Sequence, residues 1–293
     1  MNLSMEYVGT VIRPPSEADS ILIQAVYGCP HNTCAFCGAY RDKPYGLRAE
    51  PELLADLDFA AAHCRLQRRA FLCDGDALAM PLARLMRLLA AIREKLPWVA
   101  RVGCYASGTS LASRSDADLA ALRRHGLARL YVGLESGDEA TLAAMGKATD
   151  VAAIVAGCRR ARQAGFSVSA TVLLGLAGPE RSALHARLTG GALSAMDPDQ
   201  AAALSLMLVP GTPLEARARR GEFTPLGPEA LLRELHGLLA HTTLSRGLFF
   251  ANHASNHLPL RLRLPRDKAA GLARIEAALA GAIPLRPESM RRL

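Results

Sequence analysis

Lysine is scarce in this chain. Only Lys43, Lys95, Lys147 and Lys268 occur, although lysine and arginine together number 35 and the formal net charge is +8. The positive balance is therefore arginine, in a sequence rich in Ala, Leu and Gly, and reflects compositional bias as much as selection for phosphate. Apart from Arg217-Ala218-Arg219-Arg220 and Arg261-Leu262-Arg263 the arginines are scattered, so nucleic acid is not a favoured partner. Long apolar runs are missing too. None reaches the roughly 18 residues of a membrane span, and Met1-Asn2-Leu3-Ser4-Met5-Glu6 lacks the basic-then-apolar order of a secretory leader. A cytoplasmic protein with no membrane partner is the expectation. A disulfide framework fits poorly, because the seven cysteines are odd in number and clustered. There is no second cysteine cluster: Cys64, Cys73, Cys104 and Cys158 stand alone in apolar surroundings and read as inert core thiols.

What is present is the stretch Gly28-Cys29-Pro30-His31-Asn32-Thr33-Cys34-Ala35-Phe36-Cys37-Gly38, directly after the apolar run Ile21 to Val26. It places three cysteines within nine residues. Three thiolates on one loop can converge on a soft metal centre, but without a fourth they do not complete a structural zinc site. The same set suits a four-iron cluster with one iron left for a non-protein ligand. A zinc knuckle completed by His31 or a distant ligand, and three unrelated buried thiols, are the alternatives.

Downstream, short apolar runs alternate with stretches of helical periodicity. The runs are Ala70 to Cys73, Ala100 to Ala106, Arg129 to Leu134, Ser167 to Leu174 and Ala202 to Val209. With Ile21 to Val26 they make six strands, continuous rather than alternating in hydrophobicity, as in a parallel sheet covered by helices on both faces. Periodicity alone leaves an open doubly wound sheet and a barrel equally available. In either, the loops after the strand C-termini gather at one edge, where ligands bind. The cysteine loop, Asp74-Gly75-Asp76, Ser107, Glu135, Gly175 to Gly178 and Pro210 to Thr212 all fall at those ends.

The remainder differs. Helices are expected over about 228–245 and 266–280 by their periodicity, with a frayed tail from Ile283. Between them lies Asn252-His253-Ala254-Ser255-Asn256-His257. His253 is the candidate catalytic acid or base near neutrality; the alternative is a loop that caps the final helices.

In combination these residues resemble the radical S-adenosylmethionine (radical SAM) superfamily. Within it the chain is similar to the branch sharing a core with oxygen-independent coproporphyrinogen oxidases and methylthiotransferases. The resemblance covers residues 20–215 and implies an α/β fold, a partial (β/α)6 barrel of parallel strands with a small, mainly helical C-terminal extension. The expected domains are a lead-in at 1–20, the core at 21–220 and the extension at 221–293, a substrate-specificity element. The implied cofactors are a [4Fe–4S] cluster on Cys29, Cys34 and Cys37, and S-adenosyl-L-methionine (SAM), whose methionyl end chelates the fourth iron. Four residues separate Cys29 from Cys34, where the family usually has three.

The resemblance gives roles to further residues. The Phe36 backbone would contact adenine, and Asp74-Gly75-Asp76 stands where a Gly-Gly-Glu motif binds the methionyl amine. Ser107 and Glu135 would face the ribose. Lys147 stands where coproporphyrinogen oxidases carry an arginine for the cofactor carboxylate, and supplies charge without the bidentate fork. Read without the resemblance, Asp74-Gly75-Asp76 is a turn, Glu135 an acid at a helix N-terminus, Lys147 a solvated lysine and Gly175 to Gly178 a close-packed turn. The implied activity is reductive cleavage of SAM to a 5′-deoxyadenosyl radical that abstracts hydrogen from an unidentified small molecule, with an electron donor such as flavodoxin or ferredoxin. Radical modification of RNA or a peptide is one alternative; a non-catalytic iron–sulfur or zinc protein is another. The lack of a second cysteine set disfavours sulfur insertion.

Overall fold

The apolar runs become strands and the periodic stretches between them become helices in the computed structural model of the chain, which describes residues 5–292. Two units emerge. The first holds the described residues up to Asn32 together with Ala39–Val132 and Arg160–Ser167; the second holds Thr33–Gly38, Gly133–Arg159 and the chain from Val168.

In the first unit β1 (Ile21–Ile23) is followed by β2 (Val26–Tyr27) and β3 (Gly46–Leu47), a two-residue antiparallel ribbon. Then come α1 (Glu50–His63), β4 (Arg69–Leu72), α2 (Leu82–Lys95), β5 (Arg101–Ala106), α3 (Gly108–Ala112), α4 (Asp116–Arg124) and β6 (Leu127–Glu135), whose last three residues belong to the second unit. β1 pairs with β4, β4 with β5 and β5 with β6, all in parallel. Ala70, Phe71 and Leu72 of β4 are fully buried, which is why that run shows no alternation. α2 buries Leu85, Leu88, Leu89 and Ile92, a stripe at helical spacing. Ser115 caps α4, its Oγ accepting the Asp118 N–H, and Gly126 beyond its end takes a φ of 97°.

The second unit continues with α5 (Glu139–Ala144), α6 (Val151–Gln163), whose last four residues belong to the first unit, β7 (Ser167–Leu174), whose first residue does too, α7 (Gly178–Met196), β8 (Gln200–Ser205) and α8 (Pro213–Arg219). It ends with α9 (Pro228–His241), β9 (Gly247–Phe250), β10 (Arg261–Leu264) and α10 (Lys268–Leu279). β7 pairs with β8 and β8 with β9 in parallel, while β10 returns antiparallel to β9. α7 and α9 pack closely through small residues: a Cβ on Gly190 would lie 2.8 Å from the His241 backbone.

Among the described residues the strands follow the order β1-β4-β5-β6-β7-β8-β9-β10. The fold is α/β with a mostly parallel sheet, as expected. Two details of the C-terminal part differ from the sequence reading. It contributes two strands as well as helices; both are four residues long, too short to stand out from a loop. Leu293 lies outside the described residues, but the tail before it is tied down: Arg291 is 6% exposed and donates from Nε to the Ser255 carbonyl and from Nη2 to the Leu206 carbonyl.

Candidate functional site

In the first unit, glycine shapes the approach to Cys29. Gly28 has a φ of 69°, and a Cβ there would lie 2.5 Å from the Lys43 carbonyl oxygen. The turn after β4 presses on the same point, since a Cβ on Gly75 would lie 1.8 Å from the Gly28 carbonyl oxygen. Neither position has room for a side chain. The Asp74-Gly75-Asp76 turn is thus built against the backbone at Cys29, which the sequence alone did not reveal.

Its two acids do different things. Asp74 has a φ of 66° and is fully buried. Its Oδ1 accepts from the Ile12 N–H at 3.0 Å, and its Oδ2 from Gln24 Nε2 at 2.7 Å and Lys43 Nζ at 2.8 Å. It braces the N-terminal segment. Asp76, 5% exposed, accepts the Ser107 N–H on Oδ2 at 3.0 Å, while its buried Oδ1 receives no hydrogen bond. Burial raises the Asp76 carboxyl above its ordinary range, against the hydrogen bonds from Ser107 and Ser110. Ser107 is the N-cap of α3, its Oγ accepting the Ser110 N–H. Tyr45, which sequence reasoning passed over, has its phenol raised by burial and then by the charges of Asp76 and Cys29.

In the second unit, the stretch from Thr33 to Gly38 is held by main-chain bonds. The Ala35 N–H donates to the Met145 carbonyl at 2.8 Å, and the Ala35 carbonyl accepts the Leu214 N–H at 2.9 Å. Phe36 packs with Ala35, Met145, Leu176, Leu214 and Phe223. Glu135, at the end of β6, has a φ of 63°, and its Oε1 lies 3.2 Å from Lys147 Nζ, both side chains being largely buried. A Cβ on Gly133 would sit 2.1 Å from that Oε1, so the glycine makes room for the folded-back carboxylate. Lys147 is therefore not a solvated surface lysine, and Glu135 lies in a strand rather than on the first turn of a helix.

The turn after β7 has Gly175 at a φ of 83° and Gly178 at 70°. The Gly175 N–H donates to Glu234 Oε1 at 2.6 Å, and that carboxylate also accepts from His185 Nδ1 at 3.0 Å and from Ser182 Oγ. Glu234 was missed from the sequence; an acid inside the apolar stripe of α9 was the available signal. His253 is half-buried. Its Nδ1 accepts the Ser255 N–H at 3.2 Å, and burial, then the Arg286 charge, lower its pKa. Asn256 of that segment accepts from Ser205 Oγ and donates to the Ala203 and Ala251 carbonyls. Arg286 Nη1 donates to the Ala254 and Asn256 carbonyls, both at 3.0 Å.

Cys29, Cys34 and Cys37 are half-exposed and in no disulfide, whereas Cys73, Cys104 and Cys158 are buried. Burial pushes the Cys158 thiol up to about 12, the behaviour of an inert core thiol. Among the described residues no three His, Cys, Asp or Glu side chains are gathered at metal-binding distance. In such sites the metal itself draws the thiolates together, because binding and local folding are coupled. Three cysteines outside any disulfide in one short loop fit an iron–sulfur cluster. The buried Asp76 Oδ1, which receives no hydrogen bond, fits an ammonium donor.

The profile of the radical SAM superfamily matches residues 23–185, just over half of the chain. No curated protein matches in sequence. Among solved structures, methylornithine synthase is similar at 18% identity with a TM-score of 0.51, over 76% of this chain and 63% of that one. Coproporphyrinogen III oxidase from Escherichia coli matches at 18% identity and a TM-score of 0.53, over 73% of this chain and 50% of that one. The radical SAM methyltransferase TsrM from Kitasatospora setae matches at 18% identity and a TM-score of 0.56, over 71% of this chain and 41% of that one. The chain thus spans between 41% and 63% of the length of these structures. No helix among the described residues is long and apolar enough to cross a membrane.

Proposed function

Because the chain belongs to the radical SAM superfamily, and is an enzyme of that class, we propose that it takes a hydrogen atom from a small molecule. In this reading Cys29, Cys34 and Cys37 hold the cluster, while Asp76, Ser107, Glu135 and Lys147 engage SAM. The superfamily works with a [4Fe–4S] cluster and SAM, as in TsrM. When bound, these groups supply reductive cleavage of the sulfonium to methionine and a 5′-deoxyadenosyl radical, using one electron from a donor such as flavodoxin or ferredoxin.

The protein's own part is binding and orientation. Asp76 Oδ1, buried and without a hydrogen bond, is the acceptor for the methionyl amine. Lys147, held beside Glu135, neutralises the methionyl carboxylate, and Glu135 takes the ribose hydroxyls. Gly75, having no Cβ, lets the turn lie against the Cys29 backbone, and Asp74 holds that turn in place. The Phe36 backbone, carried on an apolar base, meets adenine. His253, its pKa lowered, is neutral near pH 7 and able to take a proton from substrate.

The observation that supports this reading is the loop itself: three half-buried cysteines, in no disulfide, on main chain held by glycine contacts and hydrogen bonds. Nucleic acid is not favoured, because Arg219 and Arg220 of the basic run are paired with Glu215 and Glu222. Anaerobic reconstitution followed by dithionite and SAM should release 5′-deoxyadenosine. Replacing all three loop cysteines by alanine should abolish both that release and the iron–sulfur absorbance. Deuterium carried from a candidate substrate into 5′-deoxyadenosine would identify the substrate. A colourless protein containing zinc after anaerobic purification would defeat the proposal.

A further inference from the structure

The first unit holds a second group of reactive side chains that the cofactor chemistry does not use. Tyr105 and Tyr131 are register partners on β5 and β6, and Phe71 of β4 meets both edge to face. Ring centroids are 5.2 Å apart for Phe71–Tyr105, 5.6 Å for Phe71–Tyr131 and 6.1 Å for Tyr105–Tyr131. Tyr131 is 5% exposed. Its hydroxyl donates to Glu17 Oε1 and lies 2.9 Å from Ser16 Oγ. Glu17 is fully buried and also accepts from Ser20 Oγ at 2.5 Å and Arg101 Nη2 at 3.0 Å. Burial raises this carboxyl, but the hydrogen bonds from Ser20 and Tyr131 and the Arg101 charge outweigh it and leave the pKa below the usual range. Glu17 is therefore an ionised acceptor, facing a phenol.

That pairing has a chemical consequence. A phenol that loses an electron becomes a strong acid, so its proton must leave with the electron. Where an acceptor is already hydrogen-bonded, no rearrangement is needed for it to do so. Tyr105 is different: among the described residues no hydrogen bond to its hydroxyl is made, and burial raises its pKa. Of the two neighbouring phenols only Tyr131 has a proton acceptor in place.

We propose that Tyr131 is a redox-active tyrosine, with Glu17 as its proton acceptor, and that oxidising equivalents entering this aromatic cluster come to rest there. In the step, the Tyr131 O–H bond breaks. The proton moves along the existing hydrogen bond to the Glu17 carboxylate, and one electron passes to the oxidant, leaving a neutral tyrosyl radical and a protonated Glu17. The oxidant is of the peroxyl class, formed when a carbon radical meets dioxygen; it gains the electron, takes a proton from water and ends as a hydroperoxide, leaving hydroxide in solution. A one-electron reductant then restores the tyrosine, which recovers its proton from Glu17. The supply of such oxidants rests on the radical chemistry proposed above; the redox property of Tyr131 does not.

The test is photochemical and needs no substrate. The full-length protein, reconstituted under anaerobic conditions, is flashed with a ruthenium polypyridyl sensitiser and a cobalt(III) ammine quencher, then frozen for electron paramagnetic resonance. A neutral tyrosyl signal is expected. It should be lost in Tyr131→Phe, kept in Tyr105→Phe and diminished in Glu17→Gln. Should Tyr131→Phe fail to fold, 3-fluorotyrosine placed at position 131 keeps the hydroxyl and should add a fluorine splitting to the signal. A signal that survives Tyr131→Phe unchanged, or lacks the fluorine splitting, overturns the proposal. A protein that gives the split signal but releases no 5′-deoxyadenosine with SAM and dithionite supports the redox tyrosine and defeats the proposed function alone.

Discussion

The cysteine loop and the segment Asn252 to His257 are the two most conspicuous concentrations of polar and metal-ligating side chains in this sequence, and the fold treats them in opposite ways. In the loop, Ala35 and Cys37 make main-chain hydrogen bonds, Asn32 Nδ2 donates to the Tyr40 carbonyl, and the three cysteines stay half-buried. In the later segment the side chains turn to the fold: Asn256 makes three hydrogen bonds, and His257 Nδ1 lies 2.7 Å from the Arg286 carbonyl, while its buried Nε2 has no hydrogen bond. A cluster of polar residues marks a site when its backbone is satisfied elsewhere and its side chains are kept available. A side chain spent on bonds within the fold, as Asn256 is, is architecture, and of that segment only His253 is read as reaching substrate.

Four substitutions probe that contrast. Gly75→Ala attacks the loop's support: the new Cβ would meet backbone, not a movable side chain, and shift the Cys29 loop. A displacement of about 1 Å costs on the order of 10²-fold in rate, so 5′-deoxyadenosine release should fall by ~10²-fold while the circular dichroism of the fold persists. Asn256→Ala attacks the knot. It strips partners from Ser205 and two buried carbonyls, and should cost about 2–4 kcal/mol in urea unfolding. Cofactor cleavage per folded molecule should be unchanged; a comparable loss of both would erase the distinction.

Lys147→Ala should weaken SAM binding roughly tenfold, about 1.4 kcal/mol, by equilibrium titration, since it removes the charge beside Glu135. The smallest effect is at His253. Its folded pKa lies below 6.5, so the unfolded chain takes up the proton more readily. Its contribution to stability is complete above the unfolded value and declines as pH falls through that value toward the folded one. The melting temperature of the wild type should therefore drop more steeply below about pH 6.5 than that of His253→Ala.

Much of the core was legible because it rests on local signals. Continuous apolar runs announced the parallel strands, Pro51 lies in the first turn of α1, and Ser115 and Gly126 bound α4 as their chemistry demands. The helix α8 was missed although Thr212 and Pro213 are a proper cap and first residue. Strands β9 and β10 were missed because four-residue segments carry too little pattern to separate strand from loop.

The sequence by itself determined the alternation of strands and helices, the identity of the thiols and the glycines where the chain turns, since each depends on neighbours a few residues away. Only tertiary structure decided what each polar group does. Asp74 and Asp76 differ by two positions, yet one is saturated by Ile12, Gln24 and Lys43 and the other keeps a bare oxygen. Glu17 looked like a lead-in residue and proved to be a buried carboxylate facing Tyr131. The physical reason is the same in each case: a buried charge is defined by the partners that satisfy it, and those partners come from distant parts of the chain.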